Sequence, residues 1–487
     1  MKLFPICGGI HPEYRKELTS EKAIEALPMP AELYIPLQQH IGAPAEAMVR
    51  EGDLVKKGQM IARSQGVVSA PQHAPTSGRI KAVAEVAAPH ASGLPQLTII
   101  IEPDGKDEWA ELPAPIADPF TASREEISER VATSGIVGLG GATFPSSVKL
   151  NLGIQHKLEI LLINGAECEP YLTCDDRVMR EYTAEVIDGA RIMAHALGAP
   201  RVVIGIEDNK PQAIEAMRKV AATLTNVEVA AVPVQYPMGA ERQLTEAITG
   251  RETPVRKLTA EIGVVVHNAA TARAVHHAVR FGRPLISRVV TVSGKAVRQP
   301  KNVEAPVGAM VSDLISFCGG LATTPWRLVN GGPMMGSPLL SLEVPVVKGM
   351  SGILALTAEE TNDQPASPCI RCGACVSICP CGLVPVEMAA FIRKDHLDDA
   401  AKLGVQDCFS CGSCSWVCPS HIPLVQYFNY AKGMLGAQAR EASKNERVKN
   451  LAEAHTIRVE KAAEARRALM AAKKAQATST SEDKASA

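Results

Sequence analysis

Aromatic residues are scarce in this chain, at 4% of 487 residues, and the formal net charge is only −1. Proteins that bind nucleic acid use basic grooves, and those that bind single strands add stacking aromatics, so both shortages argue against such a partner. No run approaches about eighteen consecutive apolar residues, which argues against a transmembrane helix. Any membrane association is therefore expected to come through a partner protein.

An oxidising environment is not expected either. The chain starts MKLFPICGG, without the basic and then apolar stretch of a signal segment. Its thirteen cysteines are therefore expected to remain reduced rather than to form disulfides. With 46% hydrophobic and 21% charged residues, the chain has the composition of soluble globular cores and is long enough for three or more domains.

Eight of the cysteines lie within residues 369–419, in the runs CIRCGACVSICP and CFSCGSCSWVCP. Each run is C-x-x-C-x-x-C-x-x-x-C-P, the spacing by which bacterial-type ferredoxins hold [4Fe–4S] clusters. In two-cluster ferredoxins the fourth cysteine of one run reaches the other cluster. The predicted ligand sets are Cys369, Cys372, Cys375 with Cys418, and Cys408, Cys411, Cys414 with Cys379.

The alternatives for these runs are zinc knuckles and disulfides. Zinc sites usually pair two C-x-x-C motifs across a longer gap, and the third cysteine and the C-P ending in both runs fit them poorly. The remaining cysteines have no shared spacing, and most are expected to be small buried hydrophobic residues. They are Cys7, Cys168, Cys174, Cys318 and Cys381.

Residues 1–120 are rich in proline and glycine with short apolar runs, which predicts an N-terminal β-sandwich domain. Within it, Gly52, Gly58 and Gly78 are predicted to supply positive-φ turns. The stretch 49–83 resembles biotinyl and lipoyl carrier domains. Those domains carry a lysine at a hairpin tip, and the corresponding SQGVVSAP has none, so a structural role is predicted.

Residues 121–284 alternate apolar strands with helical patterns, which predicts a doubly wound parallel sheet within a multidomain α/β and α+β chain. Strands are predicted at 158–163, 201–206, 227–232 and 263–266. Ser123 and Glu126 have the spacing of a capping box, and one helix is predicted over 175–198.

Two loops of this unit carry chemistry. GIVGLGGATFPSSVK (135–149) brings glycine N–H groups toward an anion, with Lys149 as a phosphate partner; the alternative is an ordinary turn. NGAECEPYLTCDDR (164–177) follows a buried strand, where this architecture binds its ligands. The alternative for Glu167 and Glu169 is a solvated acidic turn.

Together the loops resemble the flavin-bearing, NADH-oxidising subunit of respiratory complex I. In that family a Gly-Arg-Gly-Gly-Ala-Gly-Phe-Pro loop precedes an Asn-Ala-Asp-Glu-Ser-Glu-Pro loop that ends in Asp-Arg. Here the counterparts are GLGGATFP and NGAECEP, followed by Asp176 and Arg177. QYPMGAE resembles the family's Tyr-x-x-Gly-Glu-Glu turn, and HNAATA resembles its Asn-rich turn before a helix.

This resemblance implies the cofactor and its contacts. Phe144 and Glu169 are implied to face the nicotinamide nucleotide, while Tyr236, Gly239 and Glu241 are implied to lie near the flavin or the dinucleotide. FMN rather than FAD rests wholly on the resemblance. The residues implied to hold FMN or complete its site are Gly138, Gly140, Gly141, Lys149, Asn164, Glu167, Asn268 and Thr271.

The chain departs from that family at three positions. The loop arginine is Leu139, the third glycine is Thr143, and the aspartate before Glu167 is Ala166. The family's phosphate and ribityl contacts therefore cannot be copied in full.

The C-terminal half contains four further predicted segments. Residues 285–345 resemble a soluble-ligand-binding β-grasp module, within which NGGPMMG (330–336) is predicted to be structural and Met334 and Met335 to fill the core. A polar linker (357–368) leads into a ferredoxin-like domain (369–432). An Ala- and Lys-rich helical tail with a partly disordered end is predicted over 433–487.

This order of segments resembles the C component of Rnf electron-transport complexes. The resemblance implies hydride exchange between NAD(H) and FMN, one-electron transfer through two [4Fe–4S] clusters, and ion movement elsewhere in the complex. Implied partners are the other subunits, including an iron–sulfur subunit, and indirectly ferredoxin or flavodoxin. The implied location is peripheral, on the cytoplasmic face of a bacterial inner membrane. The alternatives are a soluble flavin and iron–sulfur reductase, such as a cobalamin reductase, and an electron-transfer adaptor without flavin.

Overall fold

A computed structural model describes residues 2–361 and 363–482 of the chain. The chain divides into two compact units. The first comprises Met1–Val386 and Asp407–Val425, and the second comprises Glu387–Gln406 and Gln426–Ala487.

The N-terminal region of the first unit is built from short antiparallel strands. One sheet has the order β2-β8-β7-β4, and a smaller one has the order β3-β5-β6. Their apolar positions, among them Leu33, Ile61 and Ile99, are fully buried. The strands are β1 (Glu25–Ala26), β2 (Leu33–Pro36), β3 (Glu46–Ala47), β4 (Leu54–Val55), β5 (Met60–Arg63), β6 (Gln72–His73), β7 (Gly78–Ala87) and β8 (Pro95–Pro103).

Two of the three predicted turn glycines take positive φ, Gly52 at +90° and Gly58 at +79°. The prediction for Gly78 was wrong, because this residue begins the extended strand β7. A Cβ at Gly78 would lie 2.2 Å from the carbonyl oxygen of Glu102 on the paired strand. Close backbone approach, rather than a turn, requires glycine there.

The α/β region has a four-stranded parallel sheet of order β11-β10-β9-β12. All four predicted strands are present, with bounds shifted by at most two residues. Branched apolar residues lie on both faces of the central strands and are buried there, as is typical of parallel sheets. The elements are α1 (Arg124–Thr133), α2 (Ser146–Leu150), α3 (Leu152–Gln155), β9 (Ile160–Asn164), α4 (Cys174–Glu181), α5 (Thr183–Leu197), β10 (Arg201–Glu207), α6 (Pro211–Ala221), β11 (Val227–Val232), α7 (Glu241–Thr249), β12 (Val264–Asn268) and α8 (Ala269–Phe281).

Ser123 caps α1 as predicted, accepting a hydrogen bond from the N–H of Glu126 at 3.1 Å. The single helix predicted over 175–198 was wrong, because it divides at Tyr182 into α4 and α5. The guanidinium of Arg273 lies 3.7 Å from the centre of the Tyr182 ring. This contact comes from α8 and is absent from the local sequence pattern.

A six-stranded mixed sheet of order β1-β14-β13-β17-β15-β16 follows. It extends beyond the predicted 285–345, because β17 is among its inner strands and β1 comes from the N-terminal region. Val290, Val303 and Ile353 share one buried core with Ile35 and Ile80 of the first sheets. The elements are β13 (Ser287–Ser293), β14 (Lys301–Pro306), α9 (Val311–Phe317), β15 (Arg327–Asn330), β16 (Ser337–Pro338) and β17 (Gly352–Leu356).

The cysteine runs are mostly loop, with one short helix in each, α10 (Ala374–Ser377) and α13 (Ser413–Trp416). The second unit contains α12 (Leu397–Lys402) and most of α11 (Pro385–Ile392) and α14 (Leu424–Glu482). The tail helix begins nine residues before the predicted 433, and residues 483–487 lie outside the described residues. Among the described residues, no helix is long and apolar enough to cross a membrane.

Candidate functional site

The strands β9 and β12 end at the same level, with Asn164 and Asn268 as register partners. Since the chain order within the sheet reverses direction at β9, the crevice between these two strand ends is a topological switch point. Ligands of open α/β sheets bind outside the carboxyl ends of the strands at such points. Both loops that the sequence singled out lie at this crevice.

The glycine-rich loop is fixed by hydrogen bonds at Gly138 and Leu139 and is exposed at Gly140 and Gly141. Gly138 N–H donates to the carbonyl of Phe144 at 2.8 Å, which closes the loop. The N–H of Leu139 donates to Thr271 Oγ1 at 2.9 Å, whereas Gly140 and Gly141 are exposed. The loop therefore presents bare backbone to the crevice.

The departure at Thr143 is accommodated locally. Thr143 takes φ of +48°, a left-handed conformation that favours glycine. The space for its side chain comes from Gly349, where a Cβ would lie 2.1 Å from Thr143 Cγ2. A glycine distant in sequence therefore compensates for the loss of the loop glycine.

The second loop is ordered by its own polar side chains. Asn164 Oδ1 accepts from Ala166 N–H at 3.1 Å, and Asn164 Nδ2 donates to the Gly239 carbonyl at 2.7 Å. Glu167, at φ of +47°, accepts from the N–H groups of Asp175 and Asp176 at 2.7 and 3.2 Å. Glu167 therefore caps α4, where a carboxylate is favoured by the helix dipole. This is not the solvated acidic turn of the alternative interpretation.

Two buried lysines that the sequence did not identify hold the carbonyls of this loop. Lys16 Nζ donates to the carbonyls of Glu167, Glu169 and Leu172 at 2.8, 2.9 and 2.6 Å. Lys210 Nζ donates to the carbonyl of Ala166 at 2.6 Å and pairs with a buried glutamate, Glu207.

The loop carbonyls face these ammonium groups rather than water. Burial lowers the pKa of Lys16, and the nearby charge of Lys210 lowers it further. No local motif surrounds Lys16, so only the folded contact reveals its role.

Lys149 lies beside the strand ends. Its ammonium pairs with Glu241 at 3.0 Å and donates to the Val266 carbonyl at 3.1 Å. The neighbouring His267 is buried, and burial together with the charge of Lys149 lowers its pKa well below the usual value. Lys149, Glu241 and Asn268 are thus brought to one side of the crevice.

Glu169 lies against the loop that follows β15. Its carboxylate accepts from the N–H groups of Met334 and Met335 at 3.0 and 2.8 Å. Burial raises the pKa of Glu169 to about 7, although these two hydrogen bonds lower it. The prediction that Met335 fills the core was wrong, since it is 52% exposed, while Met334 packs partly buried against the core.

The residues at the crevice fit a flavin mononucleotide. Two polar atoms, His267 Nε2 and Asp175 Oδ1, are buried without a hydrogen-bond partner from the protein. Such atoms normally find a partner in protein, water or ligand. The open glycine backbone and the Lys149 cation offer donors of the kind that a phosphate group requires.

The cysteine runs meet the α/β region through Tyr236. This residue is fully buried, and its hydroxyl donates to the carbonyl of Cys411 at 2.7 Å. Gln243 Nε2 also donates to the Pro380 carbonyl at 2.9 Å. The Tyr236 ring packs in the same buried cluster as Ala166 and Cys411, so this residue lies in the core between the second loop and the cysteines.

The thiols separate into two groups of different exposure. Burial and then the charges of Cys411, Cys408 and Cys379 raise the pKa of Cys414 to about 12. Burial raises the pKa of Cys375, and its neighbours Cys418 and Cys372 raise it further. The first group is mostly buried and consists of Cys379, Cys408, Cys411 and Cys414. The second group is intermediate or exposed and consists of Cys369, Cys372, Cys375 and Cys418.

No disulfide joins any two cysteines among the described residues. Of the five outside the runs' ligand spacing, Cys168, Cys174 and Cys318 are buried. Cys7 is exposed and Cys381 is intermediate, so burial does not extend to these two.

Comparison with known families matches four consecutive segments. Residues 4–106 match the RnfC barrel sandwich hybrid domain, and 131–277 match the Nuo51 FMN-binding domain. Residues 289–338 match the SLBB domain, and 365–422 match a 4Fe-4S dicluster domain. Together they cover the N-terminal sheets, the crevice, the mixed sheet and both cysteine runs.

A curated relative from Rhodobacter capsulatus, the C subunit of an ion-translocating oxidoreductase complex, is 58% identical over 436 residues. That alignment covers 89% of this chain and 84% of the relative. The chain belongs to this RnfC family. A second relative, the C subunit of the proton-translocating ferredoxin:NAD(+) oxidoreductase complex of Clostridium ljungdahlii, is 44% identical, covering 91% of this chain and 95% of the relative.

Membership in the RnfC family agrees with the chemistry of both sites. The cofactors are FMN, in the domain that contains the crevice, and two [4Fe–4S] clusters, in the dicluster domain. The zinc-knuckle and disulfide interpretations of the cysteine runs were wrong.

Proposed function

We propose that this chain is the NADH-linked electron-input or electron-output subunit of a membrane-bound, ion-translocating electron-transport complex. Its similarity to subunits of ion-translocating and ferredoxin:NAD(+) oxidoreductase complexes supports this assignment. Other subunits of the complex, including an iron–sulfur subunit, are its partners. NADH is its substrate, and ferredoxin or flavodoxin exchanges electrons with it indirectly.

FMN lies in the crevice between the ends of β9 and β12. The open backbone of the glycine-rich loop and the Lys149 cation support this position, because both provide donors for a phosphate. Phe144 and Glu169 face the nicotinamide nucleotide, and Gly239 and Glu241 border both ligands. The remaining FMN-site residues are Gly138, Gly140, Gly141, Asn164, Glu167, Asn268 and Thr271, and Tyr236 supports the site from the core.

Bound FMN exchanges a hydride with nicotinamide and passes electrons on singly. This hydride step requires no general acid or base. The protein groups therefore serve to position FMN and the nicotinamide nucleotide. Glu167 orients α4, and Lys16 and Lys210 hold the loop carbonyls away from the crevice. The protein thereby presents a rigid surface, which limits the cost of reorganisation on binding.

The single observation that carries the electron route is the hydrogen bond from Tyr236 to Cys411. It ties the α/β region to the buried ligand set, formed by Cys379, Cys408, Cys411 and Cys414. The set formed by Cys369, Cys372, Cys375 and Cys418 is more exposed. The buried set is thus the one next to the flavin, and the exposed set exchanges electrons with a partner subunit.

Finer features of the fold belong to the same proposal. The N-terminal sandwich is a scaffold of biotinyl/lipoyl type without a carrier lysine, and the mixed sheet contains a β-grasp module. The chain is peripheral, bound to membrane subunits at the cytoplasmic face of a bacterial inner membrane. Ion translocation takes place in those other subunits.

Cofactor analysis of protein purified without oxygen tests this function. We expect about one acid-releasable FMN and about eight iron atoms per chain, and NADH should bleach the cluster absorbance. Absence of flavin after reconstitution with FMN would leave the adaptor interpretation instead. Cys369→Ser and Cys411→Ser form a matched pair. NADH should still bleach the remaining cluster in Cys369→Ser, whereas in Cys411→Ser bleaching of the remaining cluster should slow strongly.

A further inference from the structure

A second cavity lies behind the glycine-rich loop, away from the crevice. It encloses about 340 Å³, within the range of small-molecule sites. Its walls come from the N-terminal region at Trp109, from α8 at Arg273, and from the segment between α8 and β13. Leu139 forms part of the wall, so one loop separates this cavity from the proposed flavin site.

One guanidinium in this cavity is incompletely satisfied. Arg288 is 3% exposed and lines the cavity. Its Nη2 donates to the carbonyl of Leu139 at 2.7 Å, but its Nε is buried without a partner. The charge of Arg288 acts on the buried Asp175 carboxylate, but its Nε–H has no acceptor, and a buried donor without a hydrogen bond is costly. Guanidinium groups match oxyanions in two-point geometry.

Other cations surround the same space. Arg283 is exposed at the cavity and lies 5.4 Å from the centre of the Trp109 ring, and Lys57 lies 5.0 Å from that centre. Neither Arg283 nor Arg288 is among the ion pairs of the described residues, whereas Lys57 pairs with Asp107. Arg273 is neutralised by Glu185 and Glu304, the latter being the only acid in the wall formed by the described residues.

We propose that this cavity binds a small organic phosphate, whose anionic end pairs with Arg288 and Arg283 and whose apolar or planar part lies against Trp109. The unpaired Nε of Arg288 provides the donor that selects an oxyanion. The indole ring provides an apolar wall beside it, as in ligand sites that combine few polar groups with aromatic surface.

The proposed ligand would act on the flavin loop. Arg288 donates to the carbonyl of Leu139, while the N–H of the same residue donates to Thr271. An anion that binds to Arg288 therefore alters one of the two hydrogen bonds that hold the Leu139 backbone. Coupling between two sites is reciprocal, so FMN should change the affinity for the phosphate by the same factor. This coupling rests on the proposed function, whereas binding itself does not.

Phenyl phosphate is a suitable probe, with inorganic phosphate for comparison, titrated into the FMN-loaded full chain. We expect saturable binding that changes tryptophan fluorescence. The chain has three tryptophans, and Trp109→Phe should abolish that change. Arg283→Ala and Arg288→Met should each weaken binding at least tenfold. Arg283 is exposed, so its variant tests the site even if Arg288→Met folds poorly. The control is Arg201→Ala, which removes an exposed arginine paired with Glu228.

Two results would overturn the proposal. One is the absence of saturable binding in the FMN-loaded protein. The other is binding lost in Lys149→Ala but kept in Arg283→Ala, which would assign the anion to the strand-end crevice. The outcome is independent of the proposed function, because flavin content and NADH oxidation are measured separately on the same preparations.

Discussion

Asn268 at the end of β12 donates its amide to the carboxylate of Asp175, in the first turn of α4, at 2.5 Å. The same side chain accepts from the N–H groups of Ala270 and Thr271 and so caps α8. One residue therefore joins the starts of α8 and α4 across the crevice.

Replacing Asn268 with alanine removes the cap and the amide together. We expect a loss of about 1 kcal/mol in the free energy of unfolding, from the cap alone. Flavin content should fall as well, because Asp175 loses its donor. Urea unfolding and the flavin-to-protein ratio measure the two effects. Asn268→Ser is the matched variant, which keeps a cap but lacks the amide. Wild-type flavin content in both variants would contradict the role given to the amide.

Lys16→Met tests the hydrogen bonds that the Lys16 ammonium donates to the second loop. Three carbonyls would lose their donor, one in a buried and two in partly buried hydrogen bonds, and each buried unsatisfied group costs roughly 1–3 kcal/mol without strict additivity. We expect at least about 2 kcal/mol of destabilisation and weaker flavin retention. Lys22→Met is the control, since Lys22 is exposed and bonds to a single carbonyl, that of Pro300. A Lys16→Met protein with unchanged stability and flavin content would show that these hydrogen bonds are dispensable.

Glu169→Gln should slow NADH oxidation while FMN is retained, because Glu169 is assigned to the nicotinamide nucleotide. Loss of flavin instead would show that the division of roles between Glu167 and Glu169 is wrong. Gas-tight stopped-flow measurements of flavin reduction at saturating NADH separate these outcomes.

The same variant has a pH signature. The folded pKa of Glu169, about 7, lies above the unfolded value of about 4.3. Its contribution to stability is therefore present below about pH 4.3 and is lost as the pH rises through about 7. Glu169→Gln removes this contribution, so the free energy of unfolding should fall less between pH 5 and 8 than in the wild type. Parallel pH dependences of the two proteins would contradict the raised pKa.

Tyr236→Phe removes the hydroxyl that bonds to Cys411. We expect about 1 kcal/mol of destabilisation, unchanged iron content and slower bleaching of the clusters by NADH. Tyr430→Phe is the control, because Tyr430 is 51% exposed and the loss of its hydroxyl should cost little. Equal bleaching rates in both variants would argue against an electron route through this contact.

Local patterns were sufficient to predict much of the architecture. Runs such as 201–206 are branched, apolar and bounded by turns, and they became strands with little shift. Repeated thiol spacing placed eight cysteines in one dicluster domain, because a cluster demands a fixed ligand geometry. Ser123 was identifiable as a cap for the same reason, since the interaction spans only three residues.

The contacts that were missed join distant parts of the chain. Lys16 lies more than 150 residues before the carbonyls that it holds. The Tyr182 ring, at the break between α4 and α5, lies against Arg273, and the Thr143 side chain occupies the space beside Gly349. Such interactions follow from tertiary packing, which overrides local propensity and leaves no periodic signal.

The hydrogen bonds that Lys16 donates to the second loop matter when the chain is divided into fragments. A fragment cut at 131–277, the bounds of the matched FMN-binding domain, would include the glycine-rich loop and both strand ends. It would lack Lys16 and Arg288, which donate to four carbonyls of the two loops. We therefore expect a transplantable flavin module of this chain to extend from before Lys16 to after Arg288, beyond the bounds of the matched domain.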